Sequence, residues 1–246
     1  MAICLEEKVR VISFFFGDAL PFVERIHAAG SLVCVTVGSA AEAGTAAAGG
    51  ADFVVAQGWE AGGHVSGQVA TIPLVRAVVA AIAPTPVVAA GGIADGPGLA
   101  AALVLGASAA WIGTRFLASQ EAAIHPRFRE IIISSNETET VFTELFDMGW
   151  PGRPHRVLRN KTINAWEAAG SPPSGKRPGE GELIGKSQSR GPIARYQSTT
   201  PPADATGDIE AFSLFAGQSV GLVDKVQPAA EIVSEIAEGA KTALGR

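Results

Sequence analysis

Apolar positions along the chain fall into short β-branched runs that alternate with segments where they recur at helical spacing. Residues 9–16 (Val-Arg-Val-Ile-Ser-Phe-Phe-Phe) form the first such run, end at Gly17, and predict a strand. In residues 20–29, Leu20, Val23, Ile26 and His27 keep a helical period, and Gly30 closes the segment as a C-terminal cap. The same two signals repeat. Strands are predicted at 32–37, 53–56, 86–92 and 109–116, with helices at about 40–48, 72–82 and 98–105. Gly49-Gly50, then Pro84 and Pro86, then Gly106 stop these helices in turn. Five strands thus alternate with four helices, and connections this short demand a parallel sheet with right-handed crossovers.

Past Phe116 the pattern changes. Residues 119–134 read as a helix interrupted at Pro126. Residues 142–166 are mixed and hold the polar run Gly152-Arg-Pro-His-Arg-Val-Leu-Arg-Asn160. From 170 to 208 the chain is rich in Pro, Gly, Ser and Lys with no usable period, so it is either a long excursion or a partly mobile lid. Residues 209–223 contain Ala216-Gly-Gln-Ser219, and a last helix is predicted from 228 to about 244. No repeat is visible beyond the βα unit.

Composition narrows the class. With 246 residues, 47% of them hydrophobic, the chain can bury the core of one α/β domain. Charged residues make up 17% and the net charge is −5, so no basic field points to nucleic acid. Two cysteines and four scattered histidines make neither a disulfide framework nor a metal-ligand spacing, and no metal is expected. Glu6, Glu7 and Lys8 precede the first apolar run, so residues 1–10 are not read as a signal peptide. No uncharged run reaches membrane-span length, and the expected location is cytoplasmic.

The chemistry concentrates in Gln57-Gly-Trp-Glu-Ala-Gly-Gly-His64-Val-Ser-Gly67, directly after the third strand. Gln57 falls at the strand's C-terminal end. The glycines leave backbone amides unshielded by Cβ atoms, and His64 offers an imidazole suited to proton transfer near neutral pH. Trp59 either walls a pocket or packs under the loop. Two more turns follow strands, Ala89-Ala-Gly-Gly-Ile-Ala-Asp-Gly96 and Ile112-Gly-Thr-Arg115. In a parallel βα sheet such turns share the C-terminal face, where glycine amides and the Thr114 hydroxyl suit a phosphate. Asp95 is read as a cap of the following helix. His27 is structural, and His125 and His155 lie in polar segments without a catalytic spacing. Arg153, Arg156 and Arg159 make either a solvated face or an anion contact.

These motifs, in this order and spacing, resemble the nitronate monooxygenase family, flavin mononucleotide (FMN)-dependent TIM-barrel enzymes. The resemblance rests on Val55-Ala-Gln-Gly-Trp-Glu-Ala-Gly-Gly-His64, on the glycine turn at 89–96, and on Leu105-Gly-Ala followed by Trp111-Ile-Gly-Thr-Arg-Phe116. It extends through 152–160 and Ala216-Gly-Gln-Ser219. It implies a TIM-barrel-like fold, FMN as cofactor, and oxidation of an alkyl nitronate or nitroalkane with O2. By position, His64 matches the catalytic histidine. Gln57, Gly62 and Gly63 match the loop that approaches the flavin, and Gly92 with Trp111, Ile112, Gly113 and Thr114 matches the phosphate site. The implied organisation is a partial flavin-binding βα barrel at 1–118, a helical and irregular insertion at 119–208 with a Pro/Gly/Ser-rich loop, and a C-terminal helical segment at 209–246.

Two departures shape the expectation. Val65-Ser-Gly follows His64 where the family has Arg-Gly, which removes an expected contact to the substrate anion. The chain also opens at what resembles the fourth barrel strand, and five strands cannot close an eight-stranded barrel. An open apolar edge favours self-association or a partner chain that supplies the missing strands. A flavin-dependent enoyl-acyl-carrier-protein reductase, which has a similar Glu-Ala-Gly-Gly-His loop, and a non-catalytic barrel fragment are the alternative readings.

Overall fold

The computed structural model describes residues 1–245, and the chain divides into two compact units. The first contains Met1–Glu60, Val65–Ile112 and the residues from Ile236 onward. Its elements are α1 (Ala2–Glu6), β1 (Val11–Phe14), α2 (Leu20–Ala28), β2 (Leu32–Val37), α3 (Ala40–Ala48) and β3 (Phe53–Gln57). After β4 (Gly63–His64), which belongs to the second unit, come α4 (Thr71–Ile82), β5 (Val87–Ala90), α5 (Gly96–Val104) and β6 (Ala109–Trp111). The sheet order is β1-β2-β3-β5-β6, and every pair is parallel. The βα alternation read from the apolar runs is therefore present as five parallel strands.

Strand alternation explains the core. Val33, Val37, Val54, Ala56, Val87 and Ala89 point to one face and join Leu74, Val75, Val78 and Ile26 from the helices in one buried cluster. The opposite face buries Cys34, Val55 and Ala90. At its two sides Leu32 and Trp111 remain 45% and 51% exposed. Small residues allow close packing in the unit. A Cβ added to Gly96, at the start of α5, would stand 2.5 Å from the Cα of Gly239.

The second unit contains Ala61–His64 and Gly113–Glu235. It holds α6 (Thr114–Leu117), α7 (Pro126–Ser134), β7 (Thr140–Thr143), β8 (His155–Leu158), α8 (Lys161–Ala168), β9 (Leu183–Ser187), β10 (Gly191–Ala194) and β11 (Thr206–Gly207). The long helix α9 (Ala229–Ala243) follows. Two antiparallel sheets form, in the orders β4-β8-β7 and β10-β9-β11. Phe128, Ile132, Phe212, Leu214 and Val220 are fully buried in the unit's main core.

Three sequence expectations are corrected. The fifth strand stops at Trp111, because Gly113 opens a helical turn that Thr114–Leu117 continues. The helix placed at 119–134 begins at Pro126, which occupies its first position rather than interrupting it, with His125 Nδ1 accepting the Arg127 amide at 3.0 Å. The stretch 170–208 is not free of regular structure. It carries β9, β10 and β11, ordered by cross-strand pairing rather than by any local period. Among the described residues no helix is long and apolar enough to cross a membrane.

Candidate active site

His64 owes its position to strand pairing. Gly63 and His64 pair antiparallel with Arg156 and His155, so the two imidazoles are direct cross-strand neighbours. Gly63 has φ +72°, a left-handed conformation that a side chain resists, and a Cβ there would meet nothing within 4 Å. Gly62 serves a different purpose. Its Cβ would lie 2.5 Å from the carbonyl carbon of Ala216 and nearer still to the Gly217 nitrogen, so only a glycine lets these two backbones touch. The Gly217 amide in turn donates to the buried Thr114 hydroxyl at 2.9 Å. That bond uses Thr114 as acceptor and leaves its own hydrogen to donate.

Aromatic rings surround the His64 imidazole. Centroid distances are 5.2 Å to Trp150, 5.5 Å to Phe215 and 5.7 Å to His155. Burial among these groups pushes the His64 pKa below its ordinary value, and the positive charge of Arg153 lowers it further. The ring is therefore neutral at physiological pH, the form in which an imidazole accepts a proton.

His155 is the residue that sequence reasoning missed. Its neighbours Arg153, Pro154 and Arg156 suggest a polar loop, yet it is fully buried on β8. Its Nδ1 lies 2.9 Å from the Arg153 carbonyl, which can only accept, and its Nε2 takes the Phe146 amide at 3.2 Å. One nitrogen must donate and the other accept, which fixes a single neutral tautomer. Burial pushes its pKa down to about 4 despite the bond to the Arg153 carbonyl. The apolar pair Val157-Leu158 just after it was the one signal of a strand in this polar run.

The three arginines nearby do not form one face. Arg153 is exposed and Arg156 is buried, with its guanidinium 5.7 Å from the Phe142 ring centroid. Arg159 pairs with Glu167 at 2.5 Å. His27 holds Asp52 at 2.9 Å and is structural, as the helical spacing implied.

Of the remaining predicted positions, Gln57, Gly92, Trp111 and Ile112 lie in the first unit and Gly113 opens the main body of the second. Gln57 ends β3, half-buried and paired in register with Ala90. The loop after it is tied down by Glu60, whose carboxylate accepts the Thr71 amide at 2.9 Å, and Thr71 Oγ1 is 3.0 Å from the Gly91 carbonyl. Gly92 is exposed, has φ +73°, and a Cβ there would meet nothing nearer than 3.8 Å. Asp95 caps α5 by accepting the Gly98 amide at 2.8 Å, as its place in the sequence indicated. Trp111 and Gly113 are exposed and Ile112 is half-buried. A Cβ at Gly113 would meet nothing within 4 Å, so its backbone is open to close approach. A cavity of about 480 Å³ also lies in this unit, with Leu20, Val33, Ala46 and Glu42 in its walls. The Glu42 carboxylate is taken up by the Gly38 amide at 2.6 Å, and no histidine or cysteine lines the cavity.

Known proteins resemble this chain in sequence and in fold. An octahydro-indene-carboxyl-CoA dehydrogenase from Rhodococcus jostii is 40% identical over 68% of this chain and 46% of its own. A nitronate monooxygenase from Pseudomonas aeruginosa is 35% identical over 95% of this chain and 64% of its own. The solved structure of FabK from Thermotoga maritima superposes with a TM-score of 0.82 at 34% identity, covering 99% of this chain and 72% of that one. The chain spans between 45% and 64% of the length of eight curated relatives that it matches. Its residues 1–239 match the family model described as nitronate monooxygenase, and the chain belongs to that family.

Proposed function

We propose that this chain carries the catalytic histidine of an FMN-dependent enzyme that oxidises alkyl nitronates with O2. The observation behind this reading is the His64 imidazole, held between aromatic rings on a short strand beside Gly63, where a Cβ would meet nothing within 4 Å. For a neutral nitroalkane, His64 takes the proton from the α-carbon. The electron pair of the broken C–H bond moves into the C=N bond, and negative charge settles on the nitro oxygens. Trp150 and Phe215 reduce water around the ring and keep it unprotonated for this step. Bound FMN supplies the electron-accepting chemistry, with O2 as final oxidant. Gln57, Gly62, Gly63, Gly92 and the run Trp111, Ile112, Gly113 and Thr114 are the residues we assign to holding it, through backbone amides and the Thr114 hydroxyl. The exposed Leu32 and Trp111 on the sheet are consistent with further βα strands, from the same or another chain, covering that face.

The test is FMN retention by absorption spectroscopy, then O2 uptake with a nitroalkane and with its preformed nitronate. His64→Asn is expected to lose about 10²–10⁴-fold with the nitroalkane and far less with the nitronate, since only the former needs a base. Equal loss on both, or none, contradicts the assignment. A second reading, a flavin enzyme acting on an acyl thioester, is favoured by the 40% identity to the Rhodococcus dehydrogenase. NADH oxidation driven by an enoyl thioester, without nitronate turnover, would establish it instead.

A further inference from the structure

We propose that His155 is a positioning residue for His64: by accepting the Phe146 amide it holds residues 145–150 where the Trp150 indole walls the His64 ring. The inference rests on the reading of His64 as a base, and it names what keeps that base in its environment.

The geometry forms a short chain of contacts. The His155 ring is fixed from below by the Arg153 carbonyl at 2.9 Å and takes the Phe146 amide on its other nitrogen at 3.2 Å. Phe146 is fully buried, and its ring centroid lies 5.8 Å from that of His155. From Phe146 the chain is held at successive points. Arg177 binds the Leu145 carbonyl at 3.0 Å and Asp147 at 2.9 Å, and the Met148 amide donates to the Tyr196 carbonyl at 3.2 Å. The Trp150 amide closes a turn onto the Asp147 carbonyl at 2.9 Å. Trp150 itself is 48% exposed, yet its ring sits 5.2 Å from His64. A half-exposed indole keeps such a place only if the backbone beneath it is fixed, and His155 supplies the side-chain acceptor that is also the cross-strand neighbour of His64.

Charged and titratable groups face the two rings from several elements among the described residues. β8 and the residues before it contribute Arg153, His155 and Arg156, the 145–150 segment contributes Asp147, and Phe215 stands on the remaining side. Trp150→Ala removes none of these charged groups. Loss of the wall then acts on His64 by letting water in, which returns its titration toward an ordinary histidine.

The test follows imidazole ¹⁵N signals of the whole chain through a pH titration, with His64 assigned by its absence in His64→Asn. In His155→Phe, which removes the acceptor, the His64 midpoint is expected to rise toward about 6.5. In His155→Gln, whose side-chain oxygen can still accept the amide, the midpoint is expected to stay near the wild-type value. Trp150→Ala is expected to reproduce the rise, and adding it to His155→Phe to produce little more. A folded His155→Phe with the wild-type midpoint overturns the proposal, because a residue that only stabilises the fold would lower the melting temperature without moving His64. Should His155→Phe not fold, Trp150→Ala decides. An unchanged midpoint overturns the proposal, and a raised one with His155→Gln at the wild-type value supports it. These readouts need neither flavin nor turnover, so a failure of the base assignment, seen as activity surviving in His64→Asn, is distinguishable from a failure here.

Discussion

Adding one methyl group at Gly62 tests the architecture of the site without touching a reacting group. The backbone there is not in the left-handed region, so Gly62→Ala carries no conformational strain of its own. The new Cβ would instead stand 2.5 Å from the carbonyl carbon and 2.8 Å from the Cα of Ala216. Both are backbone atoms and cannot rotate away. Overpacking of this kind costs about 1–3 kcal/mol. Relief requires Ala216–Gly217 to withdraw, which breaks the 2.9 Å bond from the Gly217 amide to the buried Thr114 hydroxyl and costs about 1 kcal/mol more. The sum, about 2–4 kcal/mol, corresponds to a drop of roughly 5–15 °C in melting temperature for a chain of this size. Circular dichroism melts of both variants give the comparison. Gly63→Ala is the control: its Cβ meets open space, and its φ of +72° costs about 1–2 kcal/mol. Gly62→Ala melting within about 2 °C of wild type would refute the close approach of the two backbones.

Further outcomes follow from the buried titratable and charged groups. His155 has its pKa lowered from 6.5 to about 4, so as pH falls through 6.5 the unfolded chain takes up a proton that the folded one refuses. Stability therefore falls between pH 6.5 and about 4, by about 3 kcal/mol from this group, and His64 adds in the same direction. Urea midpoints across that range should fall more steeply in wild type than in His155→Phe, and parallel slopes would exclude a buried neutral His155. Arg177 is nearly buried, pairs with Asp147 at 2.9 Å and lies 4.3 Å from the Tyr196 ring centroid. Arg177→Met keeps the stem but strands Asp147, whose side chain is a quarter exposed, and a loss of about 2–3 kcal/mol is expected from thermal melts.

The legible part of the sequence was the part governed by local signals. Leu32–Val37 was readable as a strand because six consecutive residues of β-forming type are bounded by glycine and serine, and a core on both faces tolerates such a run. Asp95 was readable as a cap because side-chain oxygen three residues before a free amide is a local relation. His64 stood out because few other groups in its loop can move a proton. His155 was illegible for the opposite reason. Its burial depends on pairing with β4, ninety-one positions away, and its immediate neighbours are charged. β9, β10 and β11 escaped notice in the same way: glycine and proline interrupt their alternation, and Gly185 pairs with both Ile193 and Gly207 only once the chain has folded back. The helix at Pro126 was a misreading of proline's role, since a missing amide hydrogen costs nothing at a first turn.

The placement of β4 bears on how such a chain can be cut and recombined. Residues 61–64 pack with a unit whose main body starts at Gly113, although the chain on either side of them belongs to the other unit. A crossover at the 112/113 boundary looks natural on a linear map. It would nevertheless separate the histidine from the strand that holds it, because His64 would travel with one parent and His155 with the other. Shuffled chimeras of related sequences that exchange the later half are thus expected to keep a working pair only when the four residues at 61–64 come from the same parent. The inherited module is discontinuous, a tetrapeptide and a distant hundred-odd residues that have to be passed on together.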